Sequence, residues 1–538
     1  MRRLPDRTHL DHLKKQAKDL LRAYRAGDPE AFASLRAALP AAAGRDDAAL
    51  AAMELRLHDM QSSVAREYGF ASWNDLSRYV EVQAAARSDR AALVLRWLAL
   101  VYGREIVDDG DYRVSPRVAA RVLGEHPDLL GDDPYLACAV GDEEALRRAT
   151  AADSSWLNRA GGPLRLQPLV AVTQSSLLML QAHHEKLHRC ARFLLDAGAD
   201  PNQRFENKDG HALTALHGAV RYGDATLTRM LLEAGADPND GESLYHSLGI
   251  DEVTRALLEH GAHAAGSNAI YRALDLPMLT PLTLLLAHGA DPNEPARNEP
   301  ITQWGSPLLW GIKRHRGRAH AEALLNAGAD ATKRTPDGTS AYSLALQFGL
   351  DDVAALLRER AAPGATLPTL SDEERFVAAC ARGDADEARR IQAARPDLPG
   401  ALSERQLRVL PELAAAGDEC GVRTMVALGW PIAVRGGDWE ASALNMAVYR
   451  GDAAMARFLL EHGAQWTEVH AFGSNVLGTL SWATCNEPDA GQDWIGCARA
   501  LREHGLPRGR RDPDDADWVF IDGEREKFSD EVTEVLLT

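Results

Sequence analysis

The sequence lacks the features that mark disulfide-stabilised, membrane-spanning and nucleic-acid-binding proteins. It has six cysteines in 538 residues, and because none of them forms a Cys-x-x-Cys pair, neither a disulfide framework nor a thiolate metal site is predicted. No uncharged apolar run reaches about 18 residues, so no membrane-spanning helix is expected. The formal net charge is -18, which argues against a nucleic-acid partner because binding phosphates requires a basic patch.

The amino-terminal segment also lacks the marks of a secretory signal. Charged residues run through MRRLPDRTHLDHLKKQAKDLL, and an apolar core with a small-residue cleavage site is missing. The sequence therefore predicts a cytoplasmic protein. The acidic excess falls on residues 81–538, because residues 1–80 hold 13 Lys or Arg against 11 Asp or Glu. An acidic surface of this kind favours a protein partner with a basic surface.

What the sequence does have is a repeated phrase, in which an apolar run is followed by Gly-Ala and often by Asp-Pro-Asn. Three copies are nearly identical: LLDAGADPN from Leu194, LLEAGADPN from Leu231 and LLAHGADPN from Leu285. Looser copies begin at Leu257, Leu324, Phe458 and Ala500. Most gaps between the shared glycines lie within about ten residues of a period of roughly 33. Such a period is typical of stacked repeats that bury their apolar faces against one another.

The second half of the signature stands at residues 209–224, which read DGHALTALHGAVRYGD. Asp209-Gly210 suits a tight turn, Thr214 suits a helix N-terminus, and Gly223-Asp224 separates two short antiparallel helices. Together with the Gly-Ala-Asp phrase, this pattern resembles the ankyrin repeat. The resemblance is strong over 205–362 and good over 440–506. Degenerate copies are indicated where Gly-Asp recurs at 141–142, 383–384 and 417–418.

The resemblance implies an all-α fold, an ankyrin-repeat solenoid of helix-turn-helix repeats with projecting turns, in two blocks behind a helical N-terminal cap domain. Segments LKKQAKDLL and VAREYGFASW are similar to a helical leader in front of ankyrin arrays of bacterial proteins, which indicates a bacterial origin. The expected parts in chain order are a helical N-terminal domain at 1–85, connecting helices at 86–132, a first block of about seven repeats at 133–362, a linker at 363–371, a second block of about four repeats at 372–510 and a C-terminal tail at 511–538.

One segment matches a metal-binding pattern. Residues 184–188 read HEKLH, and H-E-x-x-H on a helix places two imidazoles on one face for zinc, with the Glu as base of a metalloprotease. The competing interpretation is a solvated, extended start of an ankyrin second helix. A third ligand is not evident, because His217 fills the structural histidine position and Glu206 and His211 fall in a predicted finger. The sequence therefore predicts no metal and no cofactor, with His184 and His188 kept as candidate ligands.

Tryptophan is concentrated near the C-terminal end, where six of the eleven tryptophans fall within residues 430–518. Trp439 and Trp466 lie on predicted long fingers at 430–440 and 466–474, which makes them hard to explain as packing. Trp482 lies on a predicted first helix and can belong to the core. A ligand-binding groove and structural filling of irregular repeats both remain open.

The predicted function is a non-catalytic protein-protein interaction scaffold, which binds through the concave face and the fingers as the resemblance implies. The alternative is an enzyme or small-molecule-binding protein with a Trp-lined pocket in the C-terminal block, in which Asn445 and Asn475 join Asp438 and His470 as polar groups. The candidate binding residues are Lys208, Asp209, Tyr222, Trp304, Trp310, Asp438, Trp439, Trp466 and His470.

Overall fold

The chain forms two compact units, Met1–Ala269 with Ala287–Ala290, and Ile270–Leu286 with Asp291–Thr538. The computed structural model describes residues 2, 4–5, 8–53, 55–87, 89–107, 114–207, 210–361, 368–486, 491–513 and 518–537. In these ranges, helices joined by short turns dominate and the strands are short. Among the described residues, the helices are too short or too polar to cross a membrane.

The first unit opens with helices that precede the repeats. They are α1 (Leu10–Arg25), α2 (Pro29–Ala38), α3 (Asp47–Ala51), α4 (Leu57–Glu67), α5 (Trp73–Ala86), α6 (Arg90–Tyr102) and α7 (Pro116–Glu125). The sequence predicts one helix over 48–68, but the chain divides it into α3 and α4. The Tyr24 hydroxyl donates to the Leu50 carbonyl at 2.9 Å, and Asp59 accepts from the Arg56 amide at 2.8 Å to begin α4. These two contacts stabilise the break between the helices.

The rest of the first unit consists of helix pairs. They are α8 (Pro134–Val140) with α9 (Glu143–Ala152), α10 (Pro168–Thr173) with α11 (Gln181–Asp196), α12 (Ala215–Arg221) with α13 (Ala225–Glu233), and α14 (Ser243–Ser247) with α15 (Asp251–Glu259). A two-stranded antiparallel hairpin of β1 (Arg204–Glu206) and β2 (Ala212–Thr214) projects before α12. The Thr214 hydroxyl accepts from the His217 amide at 2.9 Å and so caps α12, as its place in the motif predicts.

The second unit continues with the same kind of helix pair. The pairs are α16 (Ala269–Asp275) with α17 (Thr280–Ala287), α18 (Pro307–Lys313) with α19 (Arg318–Asn326), α20 (Ala341–Gln347) with α21 (Asp351–Glu359), α22 (Asp372–Ala381) with α23 (Ala385–Ala394), α24 (Glu404–Leu407) and α25 (Val409–Ala416) with α26 (Glu419–Ala427), α27 (Ala443–Tyr449) with α28 (Ala453–Glu461), and α29 (Val476–Asn486) with α30 (Trp494–Glu503). Strands β3 (Arg435–Gly436) and β4 (Ala441–Ser442) form a short hairpin before α27.

The last described residues form a small sheet and a helix. Strands β5 (Arg510–Arg511), β6 (Trp518–Ile521) and β7 (Glu524–Lys527) pair antiparallel in chain order, and α31 (Asp530–Leu537) follows. Helix α31 packs against α30, and Val519, Val532 and Leu536 join the apolar core of the second unit. The segment after the last repeat therefore closes the apolar end of that core.

The Gly-Asp pairs between helices do the same work at each position. Gly223 has a φ of +69°, a left-handed conformation that costs glycine little and lets α12 end in a sharp turn. Asp224 then caps α13, because its Oδ1 accepts from the Leu227 amide at 2.9 Å. Equivalent caps follow the glycines at 141, 383, 417 and 451.

Where the Asp-Pro-Asn phrase occurs, its asparagine couples one repeat to the next. The Asn202 side chain donates to the Gly235 carbonyl at 3.2 Å and accepts from the Asp237 amide at 2.8 Å. Asn293 makes the same two bonds to Gly328 and Asp330, at 2.9 and 2.8 Å. One amide side chain therefore satisfies a carbonyl and an N–H in the turn one repeat later.

The predicted linker at 363–371 lies mostly outside the described residues. On its described side, Ser371 caps α22 by accepting from the Glu374 amide at 3.2 Å, and α22 packs against α20. The division into two blocks at this point stays a prediction.

Candidate functional site

A partly buried group of charged side chains lies where α18, α25 and the 430–440 finger meet in the second unit. Lys313 ends α18, and its side chain is 4% exposed. Its Nζ donates to Asp438 Oδ1 at 2.7 Å and lies 3.3 Å from Glu412 Oε2. Arg314 Nη2 is 2.7 Å from the second oxygen of Asp438. Two cations and two carboxylates thus meet inside the unit, and we call Lys313, Arg314, Glu412 and Asp438 the charged cluster.

The pKa values of the two carboxylates in the charged cluster are shifted in opposite directions. Burial raises the pKa of Glu412, although the ammonium of Lys313 opposes the shift. Burial would also raise the pKa of Asp438, but the charges of Lys313 and Arg314 and their hydrogen bonds hold it below its ordinary value. Glu412 is therefore the carboxyl of the cluster that takes up a proton first on acidification.

A cavity of about 490 Å³ opens beside the charged cluster. One wall is aromatic, with the rings of Trp304 and Phe348 6.0 Å apart and the guanidinium of Arg405 4.8 Å from the Trp304 ring centre. Arg405 also pairs with Asp337 at 2.6 Å. The cavity therefore offers apolar faces and charges of both signs, a combination that small-molecule sites use.

A chain of aromatic rings crosses the first helices and fingers of the C-terminal repeats. Its successive ring centres are 5.8 Å apart from Phe472 to His470, 5.0 Å from His470 to Trp439, 5.6 Å from Trp439 to Tyr449 and 5.7 Å from Tyr449 to Trp482. Its two ends are the most exposed, since Phe472 is 80% and Trp482 is 50% accessible. We call these five residues the aromatic row.

The two fingers are joined where the aromatic row crosses them. The Ala471 amide donates to the Trp439 carbonyl at 3.0 Å, and His470 Nδ1 accepts from the Phe472 amide at 3.2 Å. His470 is buried, and burial together with the charge of Arg435 lowers its pKa. The lowered pKa favours the neutral imidazole, whose Nδ1 can accept the hydrogen bond from the Phe472 amide. The same histidine ring lies between Phe472 and Trp439 in the aromatic row.

The remaining candidate residues are spread over both units. Trp310 is 1% exposed, and its Nε1 donates to Asp275 at 3.1 Å. Trp466 is half-buried against the apolar core. Tyr222 is half-buried and donates to the Gln174 carbonyl at 3.1 Å, and burial raises its pKa to about 12. The candidates Lys208 and Asp209 lie outside the described residues.

The other polar residues of the hypothetical Trp-lined pocket have structural partners. Asn445 is fully buried, donates to the Glu468 carbonyl at 3.1 Å and accepts from the Thr479 hydroxyl at 2.7 Å. Asn475 accepts from the Leu477 amide at 2.9 Å and donates to Glu524 at 3.1 Å. Both amides therefore join neighbouring segments. Neither lines the cavity beside Asp438.

The metal-binding pattern gains a third side chain in the structure. His184 and His188 are one turn apart on α11, with ring centres at 4.2 Å. Their Nε2 atoms lie 3.0 and 2.6 Å from Asp224 Oδ2. Burial alone would raise the pKa of Asp224, but hydrogen bonds from His188 and the Leu227 amide lower it. Sequence reasoning assigned Asp224 only to the turn, although the repeat period sets that turn beside the preceding second helix.

Sequence reasoning also missed Lys313, Glu412 and Phe472, the more exposed end of the aromatic row. Lys313 and Asp438 are 125 positions apart in the chain, so no local pattern links them. A sequence signal was available for Lys313. It directly follows the apolar run SPLLWGI at 306–312, and a lysine at the end of an apolar helix is expected to be partly buried.

Comparison with known proteins places the clearest repeat in the first unit. Residues 212–242 match the family model described as Ankyrin repeat, a range that covers β2, α12 and α13. The chain is also similar to the crystal structure of the human ASB11 ankyrin repeat domain, at 22% identity over 43% of this chain and 99% of that one, with a TM-score of 0.32. No curated protein matches the sequence significantly. The family match confirms the predicted ankyrin resemblance, and the succession of helix pairs confirms the predicted all-α repeat fold.

Proposed function

We propose that this chain, which belongs to the ankyrin-repeat family, is a non-catalytic scaffold that binds a protein partner through the aromatic row. Ankyrin repeats generally mediate protein-protein interaction, and they do so through the fingers and first helices. The aromatic row runs over the 430–440 and 466–474 fingers and over α27 and α29. We also propose the cytoplasmic location and bacterial origin that the sequence predicts.

The observation that carries the proposal is the exposure of large rings at both ends of the row. Phe472 is 80% exposed and Trp482 is 50% exposed, which leaves apolar surface that a partner side chain can cover. Aromatic residues are enriched among the side chains that dominate binding energy at protein interfaces. Aromatic faces also attract cations, and the chain carries a net charge of -18. We therefore expect a partner segment that presents Arg or Lys together with an apolar side chain.

The test uses a random peptide library displayed on phage, with the full chain as bait. Peptides enriched by the wild type should carry Arg or Lys and should bind more weakly as salt is raised. The double variant Phe472→Ser with Trp482→Ser should lower their affinity by about 30-fold, or about 2 kcal/mol, the effect of losing an anchor. Met179→Ser is the matched control, because Met179 is 61% exposed and lies in the first unit.

Equal affinity of the enriched peptides for the wild type and the double variant would contradict the proposal, provided that both proteins melt at the same temperature. A loss of affinity in the Met179→Ser control of the same size would contradict it too, because the effect would then follow exposed apolar surface in general.

The cavity beside the charged cluster favours a second candidate, small-molecule binding in the second unit. Its walls combine Trp304 and Phe348 with Arg405, Glu412 and Asp438, which suits a zwitterion that carries a ring. Thermal unfolding with each of the free amino acids tests this candidate. A ligand that binds only the folded chain adds about 2.7 kcal/mol of stability when its free concentration is about 100 times its Kd. We expect an upward shift for free tryptophan or tyrosine, and no shift with any amino acid would exclude this use of the cavity.

A further inference from the structure

Three potential metal ligands from two successive repeats meet at one point in the first unit. The imidazoles of His184 and His188 and the carboxylate of Asp224 have donor atoms that all lie within 4.8 Å of one another. The carboxylate side chain is 5% exposed, and the imidazoles are 42% and 15% exposed. The group is therefore partly covered by protein and still reachable by an ion from solvent.

Two local features bring these side chains together. His184 and His188 are four residues apart on α11, so they project from the same face of the helix. Asp224 stands at the turn between α12 and α13 in the next repeat, and its Oδ1 is used to cap α13. Its Oδ2 is thereby turned towards both imidazoles.

We propose that His184, His188 and Asp224 bind one divalent metal ion of the zinc class, which bridges two successive repeats. Two imidazole nitrogens and one carboxylate oxygen form a borderline-soft set, which suits zinc and its neighbours in the transition series rather than magnesium or calcium. Metal-ligand bonds of about 2.0–2.1 Å in a tetrahedron place the ligand atoms about 3.3 Å apart. The nitrogens now lie 2.6 and 3.0 Å from the oxygen, and all three ligand atoms lie within 4.8 Å of one another, so the side chains must rotate to admit the ion.

The site is a clamp between repeats rather than a protease centre. Glu185, the second residue of the H-E-x-x-H pattern, is exposed on α11, and the third ligand comes from a helix cap. Three protein ligands leave a fourth position, which water or a partner side chain fills in sites of this type. The expected effect of the ion is therefore on the stability and rigidity of α11 with α12 and α13.

The test is isothermal titration calorimetry. The full chain, freed of metal by a chelator, is titrated with zinc chloride, and magnesium chloride supplies the comparison ion. We expect one zinc per chain and no comparable magnesium binding. His188→Asn and Asp224→Asn should each weaken zinc binding by at least about tenfold, on the scale by which even outer-shell changes act. Asn at 224 still offers an oxygen to cap α13, so this variant removes the charge and keeps the fold.

His183→Gln is the matched control, because His183 is adjacent to the pair but its Nδ1 lies 3.2 Å from the Val140 carbonyl. Its zinc affinity should equal that of the wild type. Amide hydrogen exchange supplies a second readout, and zinc should slow exchange in α11, α12 and α13 of the wild type but not of Asp224→Asn. Weak zinc binding that is the same in the wild type, His188→Asn and His183→Gln would overturn the proposal. So would tight binding without protection of these helices in the wild type, since the ion would then lie elsewhere.

Discussion

Replacement of Lys313 by methionine should destabilise the second unit in a manner that depends on pH. The Lys313 Nζ is 2.7 Å from Asp438 and 3.3 Å from Glu412, and methionine keeps the apolar length of the side chain without its charge. Asp438 retains Arg314 at 2.7 Å, so Glu412 is the carboxylate that the substitution leaves without its cation. Removing one partner of a buried ion pair costs about 3–5 kcal/mol, and we expect a loss of this size at pH 8.

Acidification should recover much of this loss. Burial already raises the pKa of Glu412 while Lys313 opposes that shift, so the Lys313→Met variant should raise the pKa further. A carboxyl whose pKa is higher in the folded chain than in the unfolded chain binds more protons when folded, and its stabilising effect grows as the pH falls. The gap between variant and wild type should therefore shrink from pH 8 towards pH 5, by at most about 1.4 kcal/mol per pH unit.

Urea unfolding followed by circular dichroism at a series of pH values measures the gap. Because repeat arrays can unfold in parts, amide exchange in α18 and α25 reports whether the loss is local. The double variant Lys313→Met with Glu412→Gln is the control, and it should recover most of the stability at pH 8 because the unpaired charge is gone. A loss below about 1 kcal/mol at pH 8, or a gap that is constant from pH 5 to pH 8, would refute the reasoning.

Three further predictions concern the repeats themselves. Asn293→Ala removes two hydrogen bonds to the next repeat and should cost about 1–3 kcal/mol in urea unfolding, whereas no loss would show that water replaces them. Gly463→Ala places a side chain at a φ of +101° and should lower stability by about 1 kcal/mol, while Gly124→Ala, in α7 with open space around it, should be neutral or stabilising. Burial lowers the pKa of His217 to about 4. Folded chains therefore bind fewer protons than unfolded ones as the pH falls through its ordinary pKa of 6.5, and stability should fall by about 1.6 kcal/mol from pH 6.5 to pH 5. Replacing this residue in His217→Gln should make the pH dependence shallower, and an unchanged slope would count against the assignment.

The parts of the fold that follow from local chemistry could be predicted from the sequence. Gly223 with Asp224 and Thr214 fix helix ends through a left-handed turn and two caps, so the helix pairs follow from residues a few positions apart. The break between α3 and α4 was not predictable in this way, because it depends on Tyr24 reaching the Leu50 carbonyl from another helix. The sequence pattern of the helix continues through the break.

The candidate site depended on contacts that the sequence does not encode locally. The sequence leaves open whether Trp482 belongs to the core. In the structure it is half exposed and lies on α29 next to the ring of Tyr449. The sequence assigns Trp439 and Trp466 to projecting fingers, but both are half-buried against the core. The Trp439 ring also contacts that of Tyr449 on the first helix α27. The side of a finger that meets the core depends on its neighbour, as the bond from Ala471 to Trp439 illustrates.

The length of α11 connects the repeat pattern with the metal-site proposal. Helix α11 has 16 residues, whereas α13 and α15, the second helices of the next two repeats, have 9 each. The added residues begin at Gln181, and most of their side chains are exposed, so burial of apolar surface gives little reason for them beyond Leu187. The extension does place His184 one turn before His188, over the one oxygen of Asp224 that the helix cap leaves available. A helix cap needs a single oxygen. The carboxylate of Asp224 can therefore cap α13 with Oδ1 and, with Oδ2, bind a metal ion that the histidines of α11 also bind.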